Sequence, residues 1–257
     1  MELRILGSHN MESRDTRFEA HLIDGILALD SGGPTLSLTF EEQENIRAII
    51  LTHRHFDHLR DLLPFGLTMR DSGVTVDVYR IKDTLEFVAE KLMDGSLYPP
   101  FLEFPSPETP IYSMHEIEPL KDFQVLDYTV KAVPVPYAVP AVGFMISSDD
   151  VSVFYTGDAA RGVSDAWQHA APDVLLTEVT FGNRGEQTAI DSVHMAPAYL
   201  EEALSEFKRQ KGYLPKVIAG HINPPYQEEI RVEVKHVAEK LGIDILMADA
   251  DMMVSLP

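Results

Sequence analysis

Five apolar runs in this chain each lead into a polar residue able to bind a metal. Gly25–Leu29 leads into Asp30, Arg47–Thr52 into His53, Ser152–Tyr155 into Thr-Gly-Asp158, Val174–Thr177 into Glu178, and Lys216–Ala219 into Gly-His221. Short runs rich in Ile, Val and Leu read as buried strands. In open α/β sheets, side chains just past the carboxyl ends of neighbouring strands converge on one edge, where ligands bind. A single Asp or His after a strand is ordinarily a turn residue or a helix cap. Five positions obeying one rule favour a shared site, and that requirement constrains the fold more than any compositional feature.

Further strand candidates are Glu2–Leu6, Val74–Tyr79, Phe123–Val135, Ala141–Ile146 and Asp244–Met247. Helical periodicity marks Asp57–Arg70, Lys82–Met93, Ala198–Gln210 and Tyr226–Leu241. The reading is one mixed α/β domain over residues 1–257. Tyr98–Pro110, with five prolines, reads as an irregular segment: a linker, a lid over the site or a packed surface loop.

The strongest local signal is Thr52-His53-Arg54-His55-Phe56-Asp57-His58, three histidines and an aspartate within six positions after a strand. Imidazole and carboxylate together suit zinc, iron or manganese. Alternate residues of an irregular loop can face two adjacent points, so one cluster can serve two ions. The chain has no cysteine, which removes disulfides, thiolate zinc sites and a cysteine nucleophile together. Its net charge of −20 repels polyphosphate, which argues against an extended nucleic-acid partner and for a small-molecule substrate. With no long apolar stretch and no leader-like opening, the expectation is a cytoplasmic protein with no membrane partner.

These residues resemble the metallo-β-lactamase superfamily of metal-dependent hydrolases. Leu-Arg-Ile-Leu-Gly-Ser at the start, Ala-Leu-Asp30-Ser-Gly-Gly, His53-x-His55-x-Asp57-His58, Tyr-Thr-Gly-Asp158 and Ala-Gly-His221 occur in the superfamily's order. The resemblance implies an α/β fold, a four-layer αββα sandwich of two mixed β-sheets flanked by helices. It also implies that His53 and His55 hold one metal, that Asp57, His58 and His221 hold the other, that Asp158 bridges them, and that Asp30 orients a ligand histidine. The implied cofactor is a divalent metal, zinc first with manganese or iron as alternatives, one or two per chain. A homodimer is expected by analogy.

The part after Asp158 is most similar to the phosphodiesterase branch, which includes class II cyclic-nucleotide phosphodiesterases and the transfer-RNA 3′-processing nuclease. Leu-Leu-Thr-Glu178-Val-Thr-Phe and Val-His194-Met-Ala-Pro carry that likeness. A carboxylate beside an imidazole fixes its tautomer and raises its pKa, so Glu178 and His194 are the candidate acid pair, with Asp57 as a third catalytic candidate. The plainer readings are a surface Glu178 and a helix-start His194.

One position departs from the pattern. In Val-Pro-Val-Pro-Tyr137-Ala-Val-Pro the superfamily has a ligand histidine where this chain has Tyr137, and no histidine lies between His115 and His169. This leaves three states open: a binuclear site with an open position, a mononuclear site at Asp57, His58 and His221, or a site adapted to another metal, with Tyr137 touching metal or substrate. The leading function is hydrolysis of a small phosphodiester, such as a cyclic nucleotide, by a metal-activated water. The alternatives are hydrolysis of a lactone, thioester or other acyl substrate, and a relative that binds without turnover. His9, in a polar loop, is a candidate substrate contact.

Overall fold

The computed structural model describes residues 1–256. Its strands are β1 (Glu2–Gly7), β2 (Ala20–Ile23), β3 (Leu27–Leu29), β4 (Ala48–Ile50), β5 (Val76–Arg80), β6 (Tyr112–Glu116), β7 (Asp122–Val125), β8 (Tyr128–Pro134), β9 (Val142–Ser147), β10 (Ser152–Tyr155), β11 (Val174–Glu178), β12 (Lys216–Gly220), β13 (Ile245–Met247) and β14 (Met253–Ser255). The α-helices are α1 (Pro34–Ser37), α2 (Phe40–Glu44), α3 (Phe56–Leu59), α4 (Leu62–Thr68), α5 (Lys82–Phe87), α6 (Glu186–Ser192), α7 (Pro197–Lys211) and α8 (Gln227–Leu241).

Two seven-stranded sheets form, in the orders β14-β1-β2-β3-β4-β5-β6 and β13-β12-β11-β10-β9-β8-β7. Each is mixed: β3 to β6 run parallel in the first and β10 to β13 in the second, while the remaining pairs are antiparallel. Alternation of side chains divides the apolar residues among three layers. Leu27, Leu29, Ala48 and Ile50 meet Val174, Leu176, Phe144 and Ile146 between the sheets. Ala28, Ile49 and Val78 face outward against Leu62, Phe65 and Met69. Leu175, Val217 and Ala219 face outward against α7 and α8 through Leu200, Leu204, Ile230 and Val234. Strands buried on both faces explain why the sequence showed continuous apolar runs instead of alternation. The architecture is the expected four-layer αββα sandwich.

Several local expectations are corrected. Phe123–Val135 is two strands, not one: β7 and β8 pair as a hairpin with Val125 opposite Tyr128, and Leu126 takes a φ of 54° in the turn. Leucine carries no turn signal, so the reversal was hidden. The helix expected over Asp57–Arg70 breaks between α3 and α4. There Asp61 N–H donates to Ser31 O at 2.8 Å and its carboxylate takes the Thr35 N–H at 2.7 Å, so the backbone leaves the helical ladder. The helix expected over Lys82–Met93 is α5 followed by one π-helical stretch, Val88–Leu92. β2, β6 and β14 were not foreseen; β14 lies at a sheet edge in a short segment of mixed polarity. The Tyr98–Pro110 segment is a packed loop: Phe101 is fully buried against Tyr112 and over Gly66 of α4, where an added Cβ would lie 2.7 Å from the Phe101 ring. It contributes no residue to the cleft described below, in keeping with the packed-loop reading.

Trp167 anchors the outer layer of the second sheet. Its ring packs against Phe154 and Phe207, and Nε1 donates to Ala203 O at 3.0 Å. Trp167→Ala is expected to lower stability by about 3–5 kcal/mol, because it opens a cavity and removes a buried hydrogen bond. A denaturant melt reads the loss as an earlier midpoint.

Candidate metal centre

The polar residues at the strand ends come together across both sheets. Asp30 follows β3, and the Thr52–His58 segment follows β4 in the first sheet. Asp158 follows β10, Glu178 ends β11 and His221 follows β12 in the second. Asp30 and His221 both hold a left-handed backbone, with φ of 57° and 54°. Gly157 has a φ of 56°, and an added Cβ would meet Thr52 at 2.6 Å, so only glycine lets Asp158 sit this close to the histidine loop.

One cluster consists of Asp57, His58, Asp158 and His221. His221 Nε2 is 3.2 Å from Asp57 Oδ2 and 3.2 Å from Asp158 Oδ1; His58 Nε2 is 3.2 Å from Asp158 Oδ1 and 3.7 Å from Asp57 Oδ2. Donors around a tetrahedral ion with the usual bond lengths stand about 3.4 Å apart, so these edges fit one. A second cluster, His53, His55 and Asp158, lies alongside, with Asp158 Oδ2 3.7 Å from His53 Nε2. Asp158 therefore turns one oxygen to each cluster. Both its oxygens, with His53 Nε2 and His58 Nε2, are buried and without a hydrogen-bond partner. Buried polar atoms are almost always satisfied, and four orphans converging here fit bound metal.

The ring nitrogens turned away from this centre are fixed by hydrogen bonds. Asp30 accepts from Thr52 N–H (2.8 Å), Thr52 Oγ1 (2.8 Å), His58 Nδ1 (2.7 Å) and Tyr155 OH (2.7 Å). Since the Thr52 hydroxyl donates to Asp30, it accepts from His53 Nδ1 at 3.0 Å. Thr180 repeats the device, donating to Glu178 at 2.6 Å and accepting from His221 Nδ1 at 2.9 Å. In each case Nε2 is the nitrogen turned toward the centre. Thr52, Tyr155 and Thr180 were missed by the sequence reading, since a Thr or Tyr at a strand end looks like any other strand residue.

Charge follows from this crowding. Burial raises the Asp57 carboxyl, but His58 and the hydrogen bond from His221 more than offset it, holding it at about 2. Burial lowers His221, yet Asp158 and Asp57 bring it up to about 9. Burial and the neighbouring His58 hold His53 well below its usual range. Burial, with Asp158 and Glu178, pushes the Tyr137 phenol far up.

Glu178 and His194 form a buried pair beside the clusters. His194 Nδ1 lies 3.0 Å from Glu178 Oε1, and the carboxylate also accepts from Ala159 N–H (2.7 Å) and Met195 N–H (3.0 Å). Asp158, Glu178, His194 and His221 also lie within metal-binding reach of one another. With both Glu178 oxygens engaged, the pair fits proton transfer better than ligation. Burial pulls His194 down, and Glu178 more than compensates, raising it. A cleft of about 400 Å³ opens onto the centre, lined by Asn10, Phe18, His55, Phe56, Asp57, Tyr137, Ser192, His194 and His221. His9 is not among its lining residues; it is buried, with Nε2 against Gln227 Oε1 at 3.2 Å, a structural histidine and not the substrate contact also considered.

The sequence matches the family described as Beta-lactamase superfamily domain over residues 22–222, which spans the whole centre from Asp30 to His221. The chain belongs to the β-lactamase superfamily. No curated protein matches it by sequence. Among solved structures it is similar to the metallo-β-lactamase fold protein YhfI from Bacillus subtilis (17% identity, 98% of each chain covered, TM-score 0.78). It is also similar to unliganded yeast PDE1 (13%, 99% of each, 0.81) and human tRNase Z, short form (18%, 100% of each, 0.73). Among the described residues, no helix is long and apolar enough to cross a membrane.

Two outcomes follow for this superfamily member. Asp30→Asn replaces an acceptor by a donor among four inward-pointing hydrogen bonds, and metal affinity is expected to fall about 10–100-fold in a chelator-competition titration. Glu178→Gln removes the charge that raises His194, so the imidazole NMR titration of His194 is expected to move to lower pH.

Proposed function

We propose that the protein is a metal-dependent hydrolase of small phosphodiesters, cyclic nucleotides among them. The observation that carries this reading is His194, which lines the same cleft as Asp57 and His221 and is backed at 3.0 Å by the buried Glu178. Phosphodiester cleavage leaves an alkoxide that needs a proton, and a carboxylate-backed imidazole supplies one. The cleft suits a small substrate, and the charge of −20 disfavours a long polyanion.

His53, His55, Asp57, His58, Asp158 and His221 would hold divalent metal, with zinc proposed first on the imidazole-rich donors. When bound, such a metal acidifies a water and neutralises charge on the phosphoryl oxygens. Asp57, at the cleft wall, accepts a hydrogen bond from the attacking water and orients it. Water oxygen bonds to phosphorus as the ester P–O bond breaks, and His194 Nε2 passes its proton to the leaving oxygen. Glu178 keeps Nδ1 protonated, so the ring presents the right nitrogen to the cleft. The water's proton passes to solvent. We further propose that the protein works in the cytoplasm without a membrane partner and as a homodimer.

Bis(p-nitrophenyl) phosphate and an alkyl phosphodiester test the reading together. Hydrolysis is expected to stop with chelator and return with zinc. His194→Ala is expected to cost about 10²–10⁴-fold in kcat on the alkyl ester, and much less on the nitrophenyl ester, whose leaving group needs no proton. Equal losses on both substrates would remove the acid role. Turnover of thioesters or lactones with no phosphodiester cleavage would replace the reading with the acyl one.

A further inference from the structure

The first metal position has three donors in the cluster of His53, His55 and Asp158, where the second has four. We propose that Tyr137 is the missing fourth: its phenolic oxygen ligates the metal held by His53 Nε2, His55 Nδ1 and Asp158 Oδ2. Three observations converge on it. Tyr137 Oη lies 3.0 Å from His55 Nδ1, within the roughly 3.4 Å that separates donors sharing a tetrahedral ion. The Tyr137 ring packs in a T-shaped arrangement against both His53 and His55, at centroid distances of 4.9 and 5.1 Å, so its phenol shares their side of the centre. His53 Nε2, fully buried, and Asp158 Oδ2 beside it have no hydrogen-bond partner.

The backbone supports a fixed approach. Pro136 precedes Tyr137, Ala160 N–H donates to Pro136 O at 2.9 Å, and Val135 N–H donates to Ala141 O at 3.3 Å, so the loop carrying Tyr137 is tied at both ends. On binding, a metal–oxygen bond forms, the phenol O–H bond breaks and its proton leaves to solvent. Two imidazole nitrogens, a carboxylate and a phenolate make a harder and more anionic set than the histidine-rich alternative, suited to ferric iron and tolerant of zinc. The two positions would thus differ in metal preference. His194 Nε2, 3.3 Å from Tyr137 Oη, would face the ligating oxygen, which places the proton donor of the proposed reaction directly beside the first position.

The test uses the full chain stripped by chelator and reloaded, in wild type, Tyr137→Phe and Tyr137→His. Loaded with ferric ion, the wild type is expected to show a visible tyrosinate-to-iron charge-transfer band that Tyr137→Phe lacks. Loaded with zinc, the wild type is expected to hold two ions per chain after dialysis, Tyr137→Phe one, and Tyr137→His two. Circular dichroism checks that the variants are folded. A wild type that holds one ion or none, a charge-transfer band that survives in Tyr137→Phe, or a Phe variant that holds two ions as tightly as the wild type would each overturn the proposal. The readouts are metal content and an absorption band, so the proposal does not rest on the substrate reading and fails separately from it.

Discussion

The Asp30 carboxylate is the interaction on which the rest of the centre depends. It is fully buried and accepts four hydrogen bonds, from the backbone and side chain of Thr52, from His58 and from Tyr155. Thr52 belongs to the loop after β4, whereas Tyr155 belongs to β10 in the other sheet, so one side chain ties the two halves of the sandwich at the metal edge. A buried carboxylate is tolerable only when its lone pairs are used, and the contacts of Asp30 with His58 and, through Thr52, with His53 also set the direction of metal-facing rings. Losing it would leave donors unpaired in both sheets and free two ligand histidines to rotate.

Glu178 plays the corresponding part on the far side. It accepts from two backbone amides, a threonine and His194, and through Thr180 it orients His221. The centre is thus bracketed by two satisfied carboxylates, one ordering the histidine loop and one ordering the proton donor and the last ligand. Between them, Asp158 keeps both oxygens unsatisfied and turned inward. The positioning acids are saturated with hydrogen bonds, whereas Asp158, facing both clusters, is bare.

Much of the fold was legible because its strands are short, doubly buried and rich in Ile, Val and Leu, which makes them visible without alternation. The long helices α7 and α8 were legible for the opposite reason, since their apolar stripes face Leu175 and Val217 while their charges face solvent. The β7–β8 hairpin was not, because Leu126 holds a left-handed turn without glycine or asparagine. The α3–α4 break was not, because it depends on Asp61 bonding to Ser31 and Thr35, about thirty residues earlier in the chain.

The sequence by itself determined the kinds of donor atom available, their placement at strand ends and the absence of thiolate chemistry, since these depend only on residue identity and local pattern. Only the tertiary structure decided which nitrogen of each histidine faces the centre, that Asp158 serves both clusters, and that the Tyr137 oxygen reaches His55 and His194. The physical reason is range: His221 meets Asp57 across 164 residues and Tyr155 meets Asp30 across 125. Contacts that distant are set by how two sheets pack, and no local propensity encodes them.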